Sequence, residues 1–158
     1  MKQIVILGLL AAIGLPTMLK ASDVVVRQVN YVPEGRTFVC VNGNNRYTRA
    51  LYGSTDEYRV ETSDRPIFAI YKKNNHRNIR FRIAYNGTTF QLDSAAYCKA
   101  IYDAGRRDYI LKDARWGKGE VRLSVLSYPD SEGGIWKFTA DGFDNKVEIE
   151  GLICETRV

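Results

Sequence analysis

The most constraining feature of this chain is its punctuation. From residue 23 onward, apolar runs are cut by Gly, Asn, Asp and Pro before a helix could complete three turns, and nothing past Ser22 has the spacing of a long amphipathic helix. The runs that remain are short and β-rich. They are Asp23–Val29, Thr37–Val41, Arg46–Tyr52, Tyr58–Glu61, Pro66–Tyr71, Asn78–Tyr85, Thr88–Leu92, Ala95–Tyr102, Asp108–Lys112, Glu120–Ser127, Ile135–Ala140 and Lys146–Cys154. Several alternate with the period of a strand that has one dry and one wet face. Arg80-Phe81-Arg82-Ile83 does so, and Val121, Leu123 and Val125 share one face, as do Val147, Ile149, Gly151 and Ile153. Asn42-Gly43 and Asn86-Gly87 each stand between two such runs and predict tight hairpins. One helical turn fits near Asp113–Trp116. Many short strands at regular spacing predict an all-β, antiparallel sandwich or barrel and oppose a parallel sheet with crossover helices.

With 158 residues, 45% apolar and 26% charged, the chain has the length and composition of one globular domain. Residues 1–21 stand apart. Lys2, the apolar run Ile4–Leu15, Pro16 and the close Lys20-Ala21-Ser22 have the layout of a secretory signal peptide. The expected organisation is therefore a signal peptide over 1–21 and a β domain over 22–158, exported to the periplasm or the extracellular space. The apolar run falls short of the ~20 residues a membrane span needs. The alternative is an uncleaved N-terminal anchor. Lys2 and Lys20 are the only charges in residues 1–21, so the formal net charge drops from +5 to +3 without them. That mild excess is a mixed-charge surface and not a nucleic-acid footprint.

Three cysteines, Cys40, Cys98 and Cys154, are too widely spaced for a zinc site and leave at least one thiol unpaired. All three lie in apolar runs and read as buried thiols, with a disulfide between two of them as the alternative. His76 is the only histidine and falls in the polar stretch Lys72–Asn78, which reads as a surface loop. Ser–His–Asp and Cys–His catalysis would both have to use it. No phosphate-cradling glycine motif occurs. Acidic residues are plentiful, yet no spacing singles out the carboxylate pair that glycoside hydrolysis requires. No catalytic residue, metal or cofactor is expected.

Aromatic side chains are the feature that best suits a ligand. The chain has ten Tyr, six Phe and two Trp, and Tyr and Trp pair an apolar face with a polar tip, as sugar rings do. Tyr47, Tyr52, Tyr71, Tyr85 and Trp116 are the candidate stacking residues. Trp116, between Arg115 and Gly117-Lys118-Gly119, is expected in an exposed loop; Trp136, alternating with Phe138, is expected in the core. Arg106 and Arg107 can grip an acidic sugar by paired hydrogen bonds. The plain alternative is that these aromatics fill an ordinary core and sheet surface.

Certain segments carry a resemblance. They are Arg46–Gly53 (RYTRALYG), Glu61–Pro66 (ETSDRP), Gly105–Tyr109 (GRRDY), Arg115-Trp116-Gly117 and Gly133–Trp136 (GGIW). Over about residues 24–155 they are similar to the N-terminal region of an uncharacterised family of large exported bacterial proteins. Those proteins look like glycoside hydrolases of polysaccharide-degrading bacteria, in which a β-sandwich precedes an α/α-toroid domain thought to carry the chemistry. The resemblance implies a super-sandwich-like fold and a non-catalytic module that supports a catalytic domain or subunit, or binds carbohydrate. The chain ends soon after its last strand-like run. One reading is therefore a front portion whose sandwich is incomplete, with an edge or apolar face that a partner covers; the other is a stand-alone carbohydrate-binding relative. A small glycosidase is the weaker alternative.

Overall fold

The computed structural model describes residues 30–44, 46–53, 57–73 and 75–155. The proposed signal peptide and the run Asp23–Val29 lie outside the described residues. Twelve strands occur among the described ones: β1 (Val32–Glu34), β2 (Thr37–Val41), β3 (Tyr47–Tyr52), β4 (Tyr58–Ser63), β5 (Ile67–Lys72), β6 (Asn75–Tyr85), β7 (Thr88–Gln91), β8 (Tyr97–Asp103), β9 (Arg106–Lys112), β10 (Glu120–Ser127), β11 (Gly134–Asp141) and β12 (Val147–Glu155). Two short 3₁₀ turns, Leu92–Ser94 and Ala114–Trp116, are the only helical elements described, and the second is the turn expected near Asp113.

The strands form two antiparallel sheets that do not close into a barrel. Sheet I has the order β1-β2-β8-β9-β10-β11; sheet II has the order β12-β6-β5-β4-β3, with β7 also pairing β6. The eleven-residue β6 is the spine of sheet II. Its first half pairs with β5 and its second half with β7 on the same flank, while β12 runs along the other flank from Tyr85 to Arg77. The expected all-β sandwich is what forms.

Period-two alternation builds the core. Cys40, Ala100, Tyr109, Leu123 and Phe138 are successive cross-strand partners, a single inward rung across sheet I. From sheet II, Val60, Phe68, Ile79, Phe81 and Ile83 face them. Phe68 sits at the centre, edge-on to Tyr109 at 5.7 Å, to Phe81 at 5.9 Å and to Trp136 at 6.0 Å between ring centroids. Each such pair adds about 0.5–1.5 kcal/mol beyond the area it buries. Trp136 is core, as its alternation with Phe138 suggested.

The two Asn-Gly turns part company. Asn86-Gly87 is the β6–β7 hairpin, with φ of 50° and 74°. Asn42-Gly43 is not a hairpin: β2 belongs to sheet I and β3 to sheet II, so the turn carries the chain from one layer to the other. Asn42 continues the sheet I ladder by exchanging hydrogen bonds with Cys98, its amide and side-chain oxygen both taking part. Gly43 is needed for close approach, since a Cβ there would lie 2.6 Å from the Asp64 Cβ and 2.7 Å from the Cys40 Sγ.

Two further expectations are corrected. Within the stretch read as a surface loop, Lys72 ends β5 and Asn75–Asn78 belong to β6, so His76 is an exposed strand residue. The thiols are all free, but only Cys40 and Cys98 are buried; Cys154 is exposed. β11 is the last strand of sheet I and packs over β6 through Phe138 and Phe81, 4.8 Å apart. β12 therefore extends past it, and Ile153, on the inward side of β12, is 67% exposed.

Candidate functional site

Three of the proposed stacking tyrosines come together on the outer face of sheet II. Tyr52, Arg59, Tyr71 and His76 are successive cross-strand partners from β3 to β6. Because Leu51, Val60 and Ile70 point into the core, this rung points out. The Arg59 guanidinium carbon lies 3.7 Å from the Tyr71 ring centroid, and His76 meets the Tyr71 ring edge-on at 4.6 Å. Arg59 also donates to Glu61 at 2.8 Å, which fixes its plane. Tyr52, at 60% exposure, ends the row on the edge strand β3.

The neighbouring rung is Ala50, Glu61, Ala69, Asn78 and Cys154. Its two alanines keep this rung low beside the aromatic row, and Ala69, at 4% exposure, is covered by the longer side chains around it. Tyr47, 46% exposed, closes the far side by donating from its hydroxyl to the Asn78 Oδ1 at 3.2 Å. Burial and the nearby Glu61 carboxylate push its phenol up. Tyr47 reaches this face through a bulge. The β3–β4 register slips between Tyr47 and Arg49, so Tyr47 and Leu51 fall on opposite faces despite their even spacing. The result is a trough walled by Tyr47 on one side and by Tyr52 and Tyr71 on the other, with Glu61, Asn78 and Arg59 as hydrogen-bonding groups. Tyr52 and Tyr71 sit two strands apart, about 10 Å at the usual inter-strand spacing.

The remaining candidates are placed elsewhere. Trp116 is 1% exposed and not in an open loop. The 3₁₀ turn folds its indole inward against Phe143, 6.2 Å away, and Asp113 caps that turn by accepting from the Arg115 amide. Tyr85 is buried against Phe143 at 5.1 Å, on the same inward side of β6 as Phe81 and Ile83. Arg106 lies at the β8–β9 hairpin and is held by Asp103 at 3.3 Å and Asp108 at 2.8 Å.

Arg107 is not a surface grip at all: its side chain is 0% exposed. It occupies the inward rung between Tyr102 and Val125 and is the hub of a buried polar cluster. Its guanidinium donates to the Ser63 carbonyl at 3.0 Å and to the Tyr31 hydroxyl, and lies 3.9 Å from Asp64. Asp64 in turn accepts from Tyr31 at 2.5 Å and from Thr48 at 2.8 Å, while Tyr109 donates to the Ser63 carbonyl at 2.7 Å. Arg65, next in sequence, donates to the carbonyls of Gly43, Asp93 and Ala95. Together they bind the β4–β5 turn to sheet I. Their hydrogen bonds tie residues 63–65 of sheet II to Arg107 and Tyr109 of sheet I, and so hold the layers in register.

Carboxylates across the surface are paired with cations. Asp103 is held below ordinary carboxylate values by Arg36, Glu120 by Lys112 and Arg122, and Glu148 by Lys146; Asp113 is held well below by Arg115. A glycosidase acid needs the opposite shift. Among the described residues, no His, Cys, Asp and Glu side chains cluster as metal ligands, and no helix is long and apolar enough to cross a membrane.

Residues 75–152 match the model of a domain of unknown function, DUF4450. The matched stretch starts with β6 and ends within β12, so it takes in strands of both sheets. No curated protein and no solved structure matches the chain.

Proposed function

We propose that this domain is a non-catalytic module of an exported polysaccharide-acting protein, and that it engages glycan on the outer face of sheet II. The observation that carries the proposal is the convergence of Tyr47, Tyr52 and Tyr71 on one strand face, with Arg59, Glu61 and Asn78 between and beside them. Tyrosine faces suit the C–H faces of sugar rings, and the interleaved polar groups suit hydroxyls. Two aromatic positions about 10 Å apart suit a disaccharide repeat lying across the strands. The resemblance to the sandwich region of large exported glycoside-hydrolase-like proteins supports the same context, periplasmic or extracellular, with a catalytic domain or subunit as companion.

The test is affinity electrophoresis of the purified domain in gels containing soluble plant and microbial polysaccharides. At least one glycan should retard the wild type. Tyr52→Ala and Tyr71→Ala should each lose most of that retardation, about fivefold in apparent affinity, since stacking contacts of this size are worth about 1 kcal/mol each. Mobility that is the same in every gel, or unchanged in the Tyr52→Ala, Tyr71→Ala double variant, would sink the proposal.

A further inference from the structure

The two sheets part at one end of the sandwich. There, the inward side of sheet II beyond Val60 and the β10–β11 loop enclose a cleft of about 470 Å³. That volume is in the range of small-molecule sites. Its floor is apolar, made by Trp136, Tyr58 and Ile70; its rim is polar, made by Lys72, Glu132 and Arg77 with Asn75 beside them. Trp136 is held from behind by Phe68 and Phe81. Gly134 lets the loop lie against this indole, because a Cβ there would come within 2.8 Å of its Cη2. The loop is closed by the Tyr128 amide donating to the Gly133 carbonyl at 2.9 Å.

Across the mouth, the Lys72 ammonium donates to Glu132 Oε2 at 2.5 Å. Glu132 also bears on the Tyr58 phenol, which burial and that carboxylate push up. An ion pair of this kind offers a donor and an acceptor at fixed positions while its own charges cancel. Asn75 offers one more of each. An apolar plate under a ring of donors and acceptors matches one chemical class well: a flat C–H face with hydroxyls around its perimeter.

We propose that this end cleft is a second binding site, separate from the tyrosine trough, which takes a single neutral sugar ring over Trp136 with its hydroxyls on Lys72 and Glu132. The choice of ligand class rests on the carbohydrate reading above; the existence of the site does not. Lys72 and Ile70 point into the cleft from β5 while Tyr71 between them points out to the trough, so the two sites back onto the same strand. One glycan chain can thus meet both around the β5–β6 hairpin.

The structure supplies its own reporter. Trp136 lines the cleft, whereas Trp116, the only other tryptophan, lies beyond the opposite end of β10 and is fully buried. The full domain is titrated with the methyl glycosides of glucose, galactose, mannose and xylose while tryptophan emission is followed. At least one glycoside should give a saturable change, and Lys72→Met and Glu132→Gln should each weaken it at least tenfold. Both side chains are exposed, so neither substitution threatens the fold. Flat emission with every glycoside, or a saturable change that both variants retain in full, overturns the proposal. The same samples run in the polysaccharide gels separate the two readings. Retardation with flat emission removes the cleft and leaves the trough; a saturable change without retardation removes the trough and leaves the cleft.

Discussion

At the scale of single residues, Arg107 and Asp64 carry the largest stakes. Both are sealed from solvent, and one atom of each, Arg107 Nη1 and Asp64 Oδ2, has no protein partner among the described residues. Removing one member of a buried ion pair strands the other in a low-dielectric interior, which typically costs about 3–5 kcal/mol. Arg107→Ala and Asp64→Ala should each lower the urea midpoint by a large fraction of the total stability. The double change Arg107→Met, Asp64→Leu should be milder than the sum. If the double change simply added the two losses, the coupling assigned to this pair would be absent. Thiol chemistry offers a second check. Burial pushes the Cys98 thiol up to about 12, and it also raises Cys40, whereas Cys154 is exposed. At pH 8 a chromogenic disulfide reagent should therefore titrate one thiol rapidly in the native protein and all three in denaturant. Rapid reaction of two or more native thiols would contradict the packing around Cys40 and Cys98. Arg107 also marks what the sequence could have told. It shares parity with Tyr109 and Leu111, so strand alternation alone places it inward. Reading it as a surface grip let residue type override position. The same parity argument buries Tyr85 with Phe81 and Ile83.

Among the elements, strands were legible wherever alternation was clean. β10 spans the expected Glu120–Ser127, and the Val121, Leu123 and Val125 face is fully buried. Turns were legible only when their consequences were local. Asn86-Gly87 closes a hairpin between neighbours, while Asn42-Gly43 has the same residues but sends the chain across the core. Its destination depends on Cys98, fifty-six positions away, and no window around the turn contains that partner. The Tyr47 bulge hid the trough in a similar way, since it reverses the face that simple alternation would assign. Trp116 misled because its flanking glycines look like an open loop, whereas Gly119 is small to admit Phe143, whose ring would lie 2.6 Å from a Cβ. Asp113 controls that turn: it accepts from the Arg115 and Ala96 amides and from the Arg115 guanidinium. Its folded pKa is depressed below the unfolded value, so its contribution is fully present above about pH 4 and is lost as pH falls further. The stability gap between wild type and Asp113→Asn should thus be greatest near pH 6–7 and shrink in acid. A gap that stays constant down to pH 3 would mean that the charge of Asp113 does no stabilising work.

For the molecule as a whole, the two layers divide the labour. Sheet I contributes Arg107 and Tyr109 to the interlayer lock and carries the 3₁₀ turn that seals one end. Sheet II turns its outer face, with the three tyrosines, to solvent. Its two edges differ. β3 is interrupted by its bulge, a common device for blunting an edge, whereas β12 pairs with β6 over nine residues without a break. Ending the chain after Asp144 would remove β12 and strip one flank of β6, uncovering Phe81 and Ile83. Such a chain should be recovered mainly as aggregate, and a monodisperse, folded product on size exclusion would show that β12 is dispensable.

That arrangement also fixes an order of events during synthesis. β6 leaves the ribosome about sixty residues ahead of β12, the strand that will cover it. Throughout that interval the spine of sheet II has one flank of amide and carbonyl groups unsatisfied beside some of the most apolar side chains in the chain. A nascent polypeptide of this design cannot finish folding as it emerges. Until residues 147–155 have emerged, that open flank is a ready template for pairing with another chain, and misassembly of this domain would begin there.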